Sequence, residues 1–232
     1  MLFDLRARGR RRTIQIIYVF LALLMGGGLI FFGIGGSTSG GLFDAFKSGG
    51  GGSNGTNSLQ KAVDHAAKVA QLHPNDAAAW AALARAQFQM AGVGDNYDQN
   101  SGTYTAKGKQ ALVPVERSWD RYMALNPPKP SADLASLMVQ AVGPPGLNHA
   151  DKAVAAQEIV VGARPPSTGL YTQLAALAYQ AGQTRKGDLA AQKAIELAPK
   201  DQRTTLRDQF KQLKQSATAA AIQSQTTTPG SG

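Results

Sequence analysis

Cysteine is missing from all 232 residues, so thiol nucleophiles, disulfide frameworks and thiolate metal sites are ruled out. Histidine is nearly missing. His65, His73 and His149 stand apart, and no H-E-x-x-H helix brings two of them together. Aspartate and glutamate occur singly, without a pair placed for general acid and base work. The glycines at 49–52 are not followed by the Lys-Ser helix of a phosphate-binding loop. Catalytic residues, metal ligands and cofactors are therefore not expected, nor is a small-molecule substrate. Aromatic residues make up only 7% of the chain, and no basic stripe is interleaved with them, so the net charge of +9 does not point to nucleic acid.

Charge is also missing from 13–39. Within that gap, IQIIYVFLALLMGGGLIFFGI at 14–34 is about as long as a bilayer-crossing helix needs to be. Before it lie Arg6, Arg8, Arg10, Arg11 and Arg12 against Asp4, a bias that holds the N-terminus on the cytoplasmic side. The reading is a basic cytoplasmic segment at 1–12 and a transmembrane helix at 13–34, anchored in the cytoplasmic (inner) membrane with the rest of the chain outside. A cleaved signal peptide is the rival. Its apolar core is ordinarily roughly 7–15 residues and precedes an A-x-A-like site, which this chain lacks. Residues 35–57 hold nine glycines in 23 positions and read as a flexible linker. Residues 216–232 end in Gln, Thr, Ser, Pro and Gly and read as a disordered tail.

What lies between is all helical in pattern. In 170–201, apolar or small residues fall at Tyr171, Leu174, Ala175, Ala178 and Tyr179, then after a break at Leu189, Ala190, Ala194, Ile195 and Leu197. Both sets follow the i, i+3, i+4, i+7 spacing of a helix with one buried stripe. Pro199 closes the second helix because it cannot continue the hydrogen-bond ladder. A lone pair cannot bury its own stripe and needs neighbours of its kind.

The pair resembles a tetratricopeptide (TPR) repeat, with Tyr171 at the first large position, Leu174-Ala175 at the Leu-small pair and Ala194 at the small position of the second helix. Tyr179 lies one place past the usual aromatic, and Gly187 stands where the family usually has Ala. The pattern recurs. Closing prolines fall at Pro74, Pro127, Pro165 and Pro199, and first helices open at Trp80-x-x-Leu83-Ala84, Leu134-x-x-Leu137-Met138 and Tyr171-x-x-Leu174-Ala175. Second-helix stripes precede the prolines at Ala62/Ala66/Val69/Leu72, Val115/Trp119/Tyr122/Leu125, Ala153/Val160 and Leu189/Ala194/Leu197. The resemblance implies a TPR-like α-solenoid over 58–215: a half-repeat, about three repeats and a final helix from about 202 to 221.

Pro74 and Pro127 are farther apart than the family's period of about 34 residues, which places an insertion loop at 92–110. Its sequence GVGDNYDQNSGTY lacks the alternate acids and closing Glu of an EF-hand loop. Tyr97 and Tyr104 either pack the loop down or touch a partner.

In TPR arrays the first helices of successive repeats line a groove that holds an extended peptide or a helix. Carried onto this chain, the groove positions include Arg85, Phe88 and Gln89, then Ser136 and Val139, then Thr172, Gln173, Tyr179 and Gln180. The competing reading makes Phe88 and Tyr179 core between paired helices. The expected partner is a protein or peptide. The layout is similar to that of membrane-anchored TPR accessory proteins of the bacterial secretion translocon. That resemblance implies a scaffold for exported or unfolded polypeptides. The same layout would suit an assembly factor for one cytochrome, cell-wall or division partner.

Overall fold

The computed structural model describes residues 53–226, with side chains placed for 55–219. The basic segment with Arg8, Arg10, Arg11 and Arg12, the apolar run at 13–34 and most of the linker lie outside the described residues. Among those described, no helix is long and apolar enough to cross a membrane.

The described chain is all-α but for one tiny hairpin. Helix α1 is Ser53–Leu72 and α2 is Ala77–Ala91, whose first turn is capped by the Asp76 carboxylate accepting from the Ala78 N–H. A short 3-10 turn, Gly94–Asn96, leads into β1 (Tyr97–Asp98) and its antiparallel partner β2 (Thr103–Tyr104). Then come α3 (Ala106–Ala124), α4 (Ala132–Val142), α5 (Ala150–Ala163), α6 (Thr168–Gln180), α7 (Thr184–Leu197) and α8 (Arg203–Thr226). The hydroxyls of Thr105, Ser131 and Ser167 cap α3, α4 and α6. Prolines 74, 127, 165 and 199 each fall just past the end of α1, α3, α5 and α7. They stop the helix because they lack the N–H that the next turn requires.

Sequence neighbours are spatial neighbours. Helices α2 and α3 pair, as do α4 with α5 and α6 with α7, while α1 leads against α2 and α8 closes against α6 and α7. Between α6 and α7 the chain reverses at Gly182, whose φ of 70° lies in the left-handed region that costs glycine nothing. Leu112, Leu134, Met138, Val142 and Val154 are fully buried in one core that runs from α2 to Phe210 of α8. A smaller cluster of Ala70, Ala79 and Leu83 joins α1 to α2.

Three polar bridges share a nearly fixed sequence offset. Between α3 and the start of α5, His149 Nδ1 lies 2.7 Å from the Glu116 carboxylate, 33 residues back. Lys152 bonds Asp120 at 2.6 Å across 32 residues, and Gln183 bonds Asp151 at 2.7 Å across 32 more. Further along α5 and α7, Lys186 pairs with Glu158 at 2.7 Å across a shorter span of 28 residues. The second helices of successive pairs are thus laced edge to edge, each helix meeting the next about one pair-length later.

Three boundaries and two stripe positions depart from the sequence reading. Helix α1 begins at Ser53, inside the expected linker, because the buried Leu59 anchors a helix whose propagation inward and outward is cooperative. Helix α8 runs to Thr226, past the expected tail boundary at 216, through an alanine-rich stretch whose Ala217 still packs on the core. The insertion loop ends at Thr105, and the rest of the extra length becomes the first turn of α3. Leu72 and Leu189, expected in buried stripes, are 66% and 62% exposed. On α7 the buried face is built instead from Gly187, Ala190, Ala191 and Ala194, whose small side chains admit a close neighbour.

Candidate functional site

The first members of the pairs, α2, α4 and α6, carry the residues expected to bind. Arg85 and Gln89 are exposed on α2, and Gln173 and Gln180 are exposed on α6. Thr172 is half-buried with its hydroxyl out of contact with any partner among the described residues. Ser136 is also half-buried, and its hydroxyl donates to the Ala132 carbonyl at 2.8 Å, within its own helix.

Two of the expected contact residues belong to the interior. Val139 is 5% exposed and Tyr179 6%, which makes both parts of the core. Tyr179 lies over Gly187 of α7, where an added Cβ would come within 2.5 Å of two ring carbons. Its hydroxyl donates to the Asp188 carboxylate at 2.9 Å. Burial and then that carboxylate push the phenol pKa well up. Tyr179 and Gly187 therefore fit each other: the bare α-carbon on α7 leaves the space that the ring on α6 fills.

Phe88 is half-buried, covered by the insertion. Its ring meets Tyr104 edge-on, with centroids 6.5 Å apart, and Tyr104 meets Tyr97 at 5.1 Å. Tyr104 is buried, and its backbone N–H donates to the Pro145 carbonyl at 2.8 Å, tying the hairpin to the turn between α4 and α5. Burial raises the Tyr104 pKa, with Tyr97 adding to it. Tyr97 keeps one edge in solvent at 37% exposure. Asp98 spends its carboxylate inside the hairpin, accepting from Ser101 Oγ and the Asn100 N–H, which hold its pKa low. Of the two outcomes open to this loop, Tyr104 takes the packed one. Phe88 is consequently shared between the α2 surface and the loop rather than open to a ligand.

The polar residues left exposed on α2, α4 and α6 are Arg85, Gln89, Asp133, Gln140, Gln173 and Gln180, with Asp133 paired to Arg164 at 3.2 Å. These helices offer amide donors and acceptors in both senses, suited to a peptide backbone, with one cation and one ion-paired carboxylate.

A second concavity lies at the C-terminal end. A cleft of about 560 Å³ separates α7 from α8, floored by Ala191, Ile195 and Phe210 beside Tyr179. Arg203, Arg207, Lys211 and Lys214 line the α8 side; Asp188, Gln192 and Glu196 line the α7 side. The sequence reading missed this site. Its signal was there: four cations at i, i+4, i+8 and i+11 form a single basic stripe along one helix. No family model matches the chain, and the curated proteins and the solved structures yield no match either.

Proposed function

We propose that this chain is a membrane-anchored, TPR-like scaffold that holds polypeptide partners outside the cytoplasm. The observation that supports the repeat reading best is the lacing of α3 to α5 to α7 at offsets of 32 and 33 residues. A recurring offset near the length of one helical pair fits stacked pairs, since each pair then meets the next in a similar way. The anchor rests on the uncharged run at 14–34 behind its arginine cluster. The partner reading rests on the amide-rich face of α2, α4 and α6, together with the lack of any catalytic constellation in the sequence.

The test is photo-crosslinking in cells from a reactive residue placed at Gln173, on the full chain. Many unrelated exported chains among the products support a scaffold for emerging polypeptides. One stoichiometric product supports a dedicated assembly partner. Products unchanged by Arg85→Glu combined with Gln180→Glu remove the proposed face. Tyr179 is unsuitable for this test, because truncating it opens the core rather than the surface.

A further inference from the structure

We infer that the cleft between α7 and α8 is a second docking site, and that its occupant is an acidic amphipathic helix of a partner protein. The place is set by the order of packing. Each earlier first helix is covered by the second helix of its own pair: α2 by α3, α4 by α5, α6 by α7. Helix α8 occupies the position of a first helix, yet among the described residues no second helix follows it. The open side of α8, alongside α7, is where a helix paired with α8 would lie, and the cleft is found there.

The lining fits a helix with one oily stripe. Ala191, Ile195 and Phe210 supply an apolar floor. Gln192 and Glu196, four residues apart on α7, border that floor on the side away from α8.

Charge decides the partner's sign. Both carboxylates of the cleft are already engaged: Asp188 by Lys214 at 2.8 Å, and Glu196 by Gln192 and Lys193. Arg203 turns back to the Ala198 and Glu196 carbonyls. Arg207 and Lys211 have no carboxylate within ion-pair distance among the described residues. They stand one turn apart along the groove, so a partner helix with acids one turn apart beside its apolar stripe would meet both.

The experiment uses the full chain in zwitterionic nanodiscs and two fluorescent peptides of about 18 residues, five turns. The peptides share one leucine stripe and differ only in flanking glutamates or lysines. Anisotropy, blanked against empty discs, is expected to give at least ~10-fold tighter binding for the glutamate peptide at low salt, with the preference shrinking as salt is added. Arg207→Glu with Lys211→Glu should abolish the preference, and the milder Arg207→Ala with Lys211→Ala should reduce it; both positions are exposed, so the fold is kept. Arg85→Glu, on the α2 face of the function proposed above, should leave it unchanged. Equal binding of the two peptides overturns the inference, and so does a preference that survives the double reversal or is lost with Arg85→Glu. Concentration-dependent dimerisation abolished by the double reversal would assign the cleft to a second copy of this chain and overturn it too.

Discussion

The ring of Tyr179 and the bare α-carbon of Gly187 act as one unit. Adding a methyl group by Gly187→Ala puts it 2.5 Å from the ring, so the ring or the helix must shift. Overpacking of this kind costs about 1–3 kcal/mol, read as a lower urea midpoint with an unchanged m-value. Adding Tyr179→Leu should recover part of the loss, because the two changes share one contact and do not add. Glu116 is the other residue on which much turns. Burial pushes its carboxyl pKa up, but hydrogen bonds from Lys152 and His149 outweigh that and leave it below the ordinary value of 4.5. Asp188 is lowered as well, chiefly by Lys214. A carboxylate depressed in the folded state contributes stability above its unfolded pKa and loses it as pH falls through the folded one. Stability should therefore hold level down to about pH 4.5 and decline below it. Glu116→Gln should lower the neutral-pH stability by roughly 1–3 kcal/mol and flatten the acid decline, as followed by urea melts across pH.

At the scale of elements, the insertion is the instructive case. Composition marks it as loop, rich in Gly, Asp and Asn, yet it folds back as a hairpin whose Tyr104 is buried. Its base rests on Gly108, where a Cβ would overlap the Asn96 carbonyl oxygen. Backbone cannot step aside as a flexible side chain can. Gly108→Ala should loosen the 92–105 segment first, giving faster limited proteolysis there while far-ultraviolet circular dichroism stays close to that of the parent. The glycine is visible in the sequence. Its neighbour Asn96, twelve residues earlier and across a turn, is not, since only the folded hairpin brings them together. The same holds for the α7 leucines. Periodicity allows Leu189 to face either way, and the small residues at Gly187, Ala190, Ala191 and Ala194 win the interior because α6 approaches that face closely.

For the whole molecule, the stack stands or falls by its ends. Phe210 is the residue through which α8 covers the last pair, at 4% exposure. Phe210→Ala removes a buried aromatic, at a cost of about 3–5 kcal/mol. In a stack whose units lean only on neighbours, that loss should open α6 and α7 before α2 and α3, an order that hydrogen exchange resolved by residue would reveal. Uniform loss of protection along the chain would mean that the pairs unfold as one block instead.

Residue order alone determined the helical character, the pairing of helices and the four closing prolines, because these depend on spacing and on backbone chemistry that each segment carries with it. It also placed Trp119, Tyr122 and Leu134 in the interior, since a wide apolar stripe leaves one choice of side. Only the tertiary structure decided that Val139 is core, chose between the two readings open for Tyr179 and Phe88, and parted α7 from α8 to leave a cleft behind the basic stripe. Those outcomes depend on which surfaces meet across a distance in sequence. No local pattern carries that information.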